Sequence, residues 1–247
     1  MKERIDKLLV ARGLAETRQK AQALILAGQV RADGQPVTKS GALVATEAAL
    51  EVLQPPAYVG RGGLKLEKAL REFGVDAAGR TAVDLGASTG GFTDCLLQAG
   101  ARRVYAVDVG HGQLDWKLRN DPRVVVREGL NARHLRPDDL PEPFSLVTMD
   151  LSFISVTLVL PALRRVIAAG APGQPVNVIL LLKPQFEVGK GQVGRGGIVR
   201  DEAQHRAVID KARAAAEGLG FTVRGVIESP IRGAEGNKEF LMHLVSE

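Results

Sequence analysis

The stretch that decides the fold is Ala82-Val83-Asp84-Leu85-Gly86-Ala87-Ser88-Thr89-Gly90-Gly91-Phe92. A short apolar run contains an acidic residue near its end, turns through three glycines, and leads into an amphipathic segment that extends to Ala99. This order is typical of a strand, a tight turn and a helix, the first βα unit of a doubly wound α/β domain. Glycine in such a turn lets the backbone approach a ligand closely, because no Cβ intervenes.

A second acid, Asp108, follows the next apolar run at the spacing where a ribose diol is usually held. The glycine pattern is G-x-x-x-G and not the G-x-G-x-x-G of dinucleotide sites, so it favours an adenosyl ligand without phosphates, S-adenosylmethionine. A glycine-rich turn without any ligand is the alternative. The residues predicted to contact the cofactor from these two runs are Asp84, Gly86, Ser88, Thr89, Gly90, Gly91, Phe92, Asp108 and Val109.

The composition excludes several classes of protein. The 247 residues are 45% apolar, enough to bury a sizeable core in one or two domains. The single cysteine, Cys95, excludes an internal disulfide framework, and the four histidines lack metal-ligand spacing. The charged N-terminus has no signal-peptide core, and no apolar run approaches the length of a membrane span. We therefore expect a soluble, cytoplasmic protein without a metal site or a membrane partner.

Residues 1–53 are predicted to form a separate small domain. Apolar positions predict two short helices, the second opened by Thr17 and ended near Gly28, and then a hairpin with a type I′ turn at Asp33-Gly34. Up to Arg31 the unit holds seven Lys and Arg against three acids, an excess of four positive charges. Such a surface is a candidate contact for phosphates, and an ordinary solvated helix face is the alternative.

Three segments of this unit resemble the small RNA-binding module of the fourth small-subunit ribosomal protein: Arg4 to Leu9, Thr17 to Ala21, and Ile25 to Gly34. The resemblance implies that the unit binds RNA. The residues expected to contact the phosphates are Arg4, Lys7, Arg18, Lys20, Arg31 and, beyond the unit, Arg61.

The rest of the chain reads as a linker, 54–64, and a large domain, 65–247, in which apolar runs alternate with helical periods. Seven strands with interposed helices predict a mostly parallel sheet covered on both faces. Too few residues separate the last two strands for a crossover helix, so the final strand is expected to pair antiparallel, as in class I methyltransferases. The predicted strands are 82–85, 103–108, 123–127, 144–150, 177–183, 221–228 and 239–245. The predicted helices are 92–99, 112–119, 156–168 and 201–218.

Charged side chains stand where several of these elements begin or end. Asp150 and Lys183 each end an apolar run, Glu239 begins the last strand, and Lys65 opens the helix after the linker. The carboxyl ends of parallel strands meet at one edge of the sheet, which is where ligands bind in such folds. Taken singly, each residue is explained by a salt bridge at the rim. Together beside a cofactor turn, they predict a catalytic site.

In chain order, Lys65, Asp150, Lys183 and Glu239 match the Lys-Asp-Lys-Glu tetrad of FtsJ-like ribose 2′-O-methyltransferases. Joined to the N-terminal module, the arrangement resembles the TlyA family, also called haemolysin A, whose members methylate ribosomal RNA. The resemblance implies S-adenosylmethionine as cofactor, ribosomal RNA or a ribosomal subunit as partner, a cytidine ribose as target, and an adenine-side contact from Asn131. The segments that carry it are Arg61 to Leu66, Asp84 to Asp94, Asp108 to Leu114, Asp150 to Ser155, and Lys183 to Glu187.

A ribose hydroxyl is a poor nucleophile, so methyl transfer needs in-line positioning and removal of a proton. We assign the base to Lys183, with Lys65 as a second cation that eases its deprotonation. Asp150, which also borders the cofactor, and Glu239 are expected to orient the two ammonium groups. Two other functions stay open: a non-catalytic RNA-binding assembly factor with a vestigial cofactor fold, and a pore-forming haemolysin. The intact tetrad argues against the first, and the lack of a span or secretion signal against the second.

Overall fold

The computed structural model describes residues 1–53, 56–189, 193–233 and 235–246. Their contacts divide the chain into two compact units, Met1–Pro56 and Ala57–Glu247. The predicted linker, 54–64, therefore extends too far, because residues from Ala57 onward pack on the second unit. The Val59 N–H donates to Asp94 Oδ2 at 2.8 Å, and the Tyr58 ring lies directly against the backbone at Gly63. Gln54 and Pro55 lie outside the described residues.

The first unit packs two helices and several very short strands around a small apolar core. The predicted helix start at Thr17 is confirmed, since its Oγ1 accepts the Lys20 N–H at 3.2 Å. The type I′ turn is also confirmed, since Asp33 and Gly34 have φ of 51° and 75°. Three of the strands were not predicted, because segments of three residues show no alternation. The elements are β1 (Lys2–Arg4), α1 (Ile5–Ala11), α2 (Arg18–Leu26), β2 (Val30–Ala32), β3 (Gln35–Pro36), β4 (Leu43–Ala45) and β5 (Leu50–Val52).

The second unit is built on a seven-stranded sheet. Five neighbouring strands, which extend from the middle of the sheet to one edge, run parallel to one another. The last strand inserts between two others and pairs antiparallel with both, which confirms the prediction. The strands are β6 (Thr81–Leu85), β7 (Arg103–Val107), β8 (Val124–Arg127), β9 (Leu146–Met149), β10 (Val176–Leu182), β11 (Phe221–Glu228) and β12 (Phe240–Ser246), in the order β11-β12-β10-β9-β6-β7-β8.

Helices cover both faces of this sheet, and an apolar cluster lies between the helices and each face. The doubly wound architecture is therefore confirmed. The helix predicted over 112–119 is shorter, because Gly112 takes a φ of 68° and the Asp115 side chain caps a helix that starts only at Trp116. The helices are α3 (Gly62–Phe73), α4 (Gly91–Gln98), α5 (Trp116–Arg119), α6 (Leu160–Gly170), α7 (Pro184–Glu187) and α8 (Glu202–Glu217).

Candidate active site

A cleft of about 790 Å³ opens at the carboxyl ends of β6, β7 and β9. The chain leaves β6 toward β7 on one side and reaches β9 on the other, so the cleft lies at the switch point where α/β folds bind ligands. A smaller cavity shares part of the same lining. Predicted cofactor residues that line one or both are Gly86, Ser88, Thr89, Gly91, Phe92, Asp108, Val109, Asn131 and Asp150.

The Asp108 carboxylate is held rigidly at the edge of the cleft. Its Oδ2 accepts the Ser88 N–H and its Oδ1 accepts the Gly110 N–H, both at 2.8 Å. Each carboxylate oxygen can accept a further hydrogen bond, as a ribose diol would require. Asn131 lies across the same cleft, where its Oδ1 accepts the Arg133 N–H at 3.0 Å. Both side chains are therefore fixed in place before any ligand binds.

Two predicted cofactor residues, Asp84 and Gly90, do not reach the cleft. Asp84 is fully buried, where its carboxylate accepts hydrogen bonds from Thr93 Oγ1 at 2.7 Å and Thr148 Oγ1 at 2.9 Å. Burial raises the pKa of this carboxyl to about 7, against the two hydrogen bonds that lower it. Gly90, at φ 100°, is required instead by packing, because a Cβ there would lie 2.2 Å from Leu118 Cδ1. Both residues support the turn from beneath.

Gly86 lines the cleft and cannot be replaced without moving the backbone. Its φ is 83°, and a Cβ at this position would lie 2.4 Å from the carbonyl oxygen of Asp150. The close approach that glycine permits here is therefore between the end of β6 and the end of β9. This turn brings Asp150 against the glycine-rich segment. The part of the cleft that follows β6 and the part that follows β9 therefore meet at this contact.

The four tetrad residues form two ion pairs at one edge of the sheet. Lys65 Nζ lies 2.5 Å from Glu239 Oε2, and both side chains are buried, with 9% and 2% exposed. Lys183 Nζ lies 2.7 Å from Asp150 Oδ1 and donates to Ser152 Oγ at 2.8 Å. In each pair one carboxylate lies within ion-pair distance of one ammonium group, and the orienting role of these carboxylates in catalysis stays a prediction.

The register of the strands explains why the two pairs lie at the same edge. Leu182 is paired with Phe240, so Lys183 and Glu239 come next on adjacent strands. The start of α3 also lies against the second pair, since a Cβ at Gly62 would be 3.6 Å from Asp150 Oδ2. Residues far apart in sequence are thus brought together by the final antiparallel strand and by α3.

The donors and acceptors around the cleft fit an adenosyl sulfonium ligand. Asp150 Oδ1 is buried and, among the described residues, accepts no well-directed hydrogen bond despite its ion pair with Lys183. The Lys183 ammonium 2.7 Å away compensates the charge of this buried oxygen, so the oxygen is not a free contact for a ligand. The fixed Asp108 carboxylate suits a ribose diol, and the glycine-rich turn leaves room for close backbone approach. A site of this volume is also ordinary for a ligand of this size.

Sequence reasoning missed a buried carboxylate next to the tetrad, Glu187. Its Oε2 accepts the Ser155 hydroxyl at 2.5 Å and its Oε1 accepts the Val156 N–H at 2.7 Å. Burial raises the pKa of this carboxyl above its usual range, while these two donors favour the ionised form. An acidic residue between Phe186 and Val188, four residues after Lys183, was the signal in the sequence that could have indicated it.

The predicted RNA-contact residues fall into two groups in the structure. Arg4 and Arg18 both bind the fully buried carboxylate of Asp6, each at 2.9 Å, so they hold the first unit together. The Arg4 guanidinium holds the pKa of this carboxyl well below its usual range. Lys20 pairs with Glu16 at 3.1 Å on the surface. The exposed side chains without such an ion pair among the described residues are Lys7, Arg31 and, at the rim of the smaller cavity, Arg61.

Neither a membrane-spanning helix nor a metal cluster is found in the described part of the chain. No helix there is long and apolar enough to cross a membrane. No group of three or more His, Cys, Asp or Glu side chains within the same residues is placed to hold a metal ion.

Comparison with known proteins assigns the class. A family model described as FtsJ-like methyltransferase matches residues 58–245, and one described as S4 domain matches residues 3–49. The first match covers most of the chain, which therefore belongs to the FtsJ-like methyltransferase family and carries an S4 domain at its N-terminus. The family predicted from the tetrad and the N-terminal module is thereby confirmed.

Particular relatives align over nearly the whole chain. The chain is 50% identical over 244 residues to "16S/23S rRNA (cytidine-2'-O)-methyltransferase TlyA" of Mycobacterium tuberculosis, covering 98% of this chain and 89% of that protein. It is 42% identical over 246 residues to "Hemolysin A" of Brachyspira hyodysenteriae, covering 98% and 99%. A solved structure from Streptococcus thermophilus, provisionally described as a hemolysin, superposes with a TM-score of 0.74 at 44% identity, covering 99% and 88%.

Proposed function

We propose that this chain transfers a methyl group from S-adenosylmethionine to the ribose 2′-hydroxyl of a cytidine in ribosomal RNA. The observation that carries the proposal is the pairing of Lys65 with Glu239 and of Lys183 with Asp150 beside the cofactor cleft. The relative from Mycobacterium tuberculosis, named for this reaction, supports the same substrate. Such a substrate implies action in the cytoplasm.

The cofactor would be held by the fixed polar groups of the cleft. Asp108 would accept hydrogen bonds from the ribose hydroxyls, Asn131 would face the adenine, and Gly86 and Ser88 would border the ligand with their backbone. When bound, S-adenosylmethionine supplies an electrophilic methyl group on a sulfonium. Asp150 lines both the cleft and the smaller cavity, so it would border the bound cofactor while it pairs with Lys183.

Lys183 is the group proposed to remove the proton. After its ammonium has released one proton to solvent, the neutral Nζ would accept the proton of the 2′-hydroxyl as the oxygen bonds to the methyl carbon and the carbon–sulfur bond breaks, with its electron pair staying on sulfur. Asp150 and Ser152 hold Nζ at a defined position, which places the base before the substrate arrives. Lys65, whose ammonium group donates to Glu239, would supply the second cation. Arg61, at the rim of the smaller cavity, would contact an RNA phosphate.

Substitution of Lys183 tests this assignment. Lys183→Arg keeps a cation that can pair with Asp150, but a guanidinium does not give up its proton at usable pH. We expect both Lys183→Ala and Lys183→Arg to lose turnover by about a hundredfold or more while they still bind cofactor and RNA. Methyl transfer by the arginine variant at the wild-type rate would instead make Lys183 an electrostatic clamp. Normal cofactor binding without any methyl transfer by the wild type would favour the assembly-factor alternative.

A further inference from the structure

Two segments that follow neighbouring strands are joined along their length. Residues 150–156 follow β9 and form the 150–156 loop, and residues 183–187 follow β10 and form the 183–187 segment. The first contact is the ion pair of Lys183 with Asp150, with the hydrogen bond to Ser152 beside it. The second is between the rings of Phe186 and Phe153, whose centroids are 5.1 Å apart. The third is made by Glu187.

Glu187 is the most buried of these contacts and has two partners on the loop. Only 4% of the residue is exposed, and its two carboxylate oxygens accept one hydrogen bond each, from Ser155 Oγ and from the Val156 N–H. Its own backbone is held from the other side, because Lys211 Nζ of α8 donates to the Glu187 carbonyl oxygen at 2.9 Å. The carboxylate is therefore a fixed point to which the far end of the loop is attached.

The loop needs such a fixed point because its backbone is strained. Phe153 has a φ of 63°, a left-handed conformation that bulky side chains rarely adopt, and the residue is 90% exposed. Strain of this kind persists only where the surrounding structure enforces it. The start of the loop is held by the Asp150 N–H, which donates to the Leu85 carbonyl oxygen at 3.0 Å. The end of the loop is held by Glu187 through Ser155 and Val156.

We propose that Glu187 is a positioning residue for methyl transfer: through Ser155 and Val156 it holds the strained loop so that Asp150 and Ser152 stay in contact with Lys183. The inference rests on the proposed function, since it concerns the geometry of the same lysine. Without the carboxylate, the loop is free to relax at Phe153, and the two groups that orient Lys183 move with it.

The test compares three variants with a matched control. Glu187→Ala removes both hydrogen bonds, whereas Glu187→Gln keeps an oxygen for Val156 and an amide that Ser155 can accept from. Ser155→Ala removes one of the two hydrogen bonds at a half-buried position. It replaces Glu187→Ala in the comparison if that variant fails to fold. Thr81→Val is the control, because it loses one partly buried hydrogen bond, from Arg102 at 2.7 Å, at the opposite edge of the sheet.

We expect kcat per folded molecule to fall at least about tenfold in Glu187→Ala, because displacement of a catalytic group by about 1 Å costs up to a hundredfold. Affinity for S-adenosylmethionine should change less than kcat, since Ser88 and Asp108 lie outside the loop and only the loop's own cleft-lining residues move with Glu187. Glu187→Gln and Thr81→Val should stay within about threefold of wild type, and Ser155→Ala should fall between.

A second readout does not depend on methyl transfer. Amide hydrogen exchange measured by mass spectrometry should accelerate in peptides that contain residues 150–156 in Glu187→Ala, but not in Glu187→Gln or Thr81→Val. The proposal is overturned if Glu187→Ala keeps the wild-type kcat, if Glu187→Gln loses as much as the alanine variant, or if exchange in the loop is unchanged. A wild-type protein that transfers no methyl group overturns the proposed function instead, and the exchange measurement still decides the role of Glu187.

Discussion

Removal of the Glu239 carboxylate should destabilise the second unit far more than removal of a surface carboxylate. The Lys65–Glu239 pair is almost wholly buried at 2.5 Å, so Glu239→Gln leaves an ammonium group away from water without a counter-charge. Breaking a buried pair in this way costs about 3–5 kcal/mol. In a unit of this size about 1 kcal/mol lowers Tm by about 2–4 °C, so the middle of these ranges predicts a fall of about 12 °C.

Thermal unfolding followed by circular dichroism measures this effect. Glu217→Gln is the control, because Glu217 pairs with Arg213 at 3.8 Å with both side chains about half exposed, and such pairs contribute at most about 1 kcal/mol. The double variant Lys65→Met with Glu239→Gln removes both charges and should recover most of the lost stability. A Tm for Glu239→Gln close to that of Glu217→Gln, or a double variant with a Tm no higher than that of Glu239→Gln, would show that the buried pair does not stabilise the unit in this way.

Three further predictions concern other parts of the molecule. Gly86→Val should abolish S-adenosylmethionine binding in calorimetry, because its Cβ would lie 2.4 Å from the carbonyl oxygen of Asp150. Gly79→Val is the control and should bind the cofactor normally, since Gly79 has a similar positive φ but open space around it. The pKa of Asp84 is raised from 3.8 to about 7, so between these pH values the folded state binds a proton that the unfolded state releases. The free energy of unfolding should therefore fall as pH rises from about 4 to about 7, by at most about 1.4 kcal/mol per pH unit. Asp84→Asn should remove that fall in urea unfolding, and an unchanged pH dependence would contradict the burial argument. Arg31→Ala should weaken RNA binding and reduce the slope of log affinity against log salt concentration by about 1, without changing Tm. Arg18→Ala should also lower Tm, because Asp6 loses an ion-pair partner. Equal effects of the two variants on Tm would contradict the assignment of Arg18 to the structure of the first unit and of Arg31 to RNA.

The architecture of the second unit was predictable because its strands are long, apolar and separated by helical periods. Six of the seven predicted strands differ from the structure by no more than one residue at either end, and the remaining one, 144–150, is shorter because β9 covers only Leu146–Met149. Outside the predicted hairpin, the short strands β1, β4 and β5 of the first unit were not predictable, and neither was the length of α5, since they depend on pairing and capping within three or four residues.

The charged residues of the site were predictable from the sequence. Their pairing and the hydrogen-bond partners that fix their positions were not. The sequence indicated the tetrad because charged residues beside buried strands need partners, but pairing Lys65 with Glu239 required the register of β10 and β12. Asp84 was placed at the cofactor because an acid near the end of the first strand usually lies there. The hydroxyls of Thr93 and Thr148, which turn it inward, give no signal in the sequence.

The proposed ribose methylation is tested by identifying the nucleoside that the protein methylates. Purified ribosomal subunits are incubated with isotopically labelled S-adenosylmethionine and either the wild-type protein or Asp150→Asn, and the RNA is then digested to nucleosides for mass spectrometry. We expect labelled 2′-O-methylcytidine from the wild type and none above background from Asp150→Asn, whose amide no longer balances the charge of Lys183. A label on a base, or equal labelling by both proteins, would contradict it.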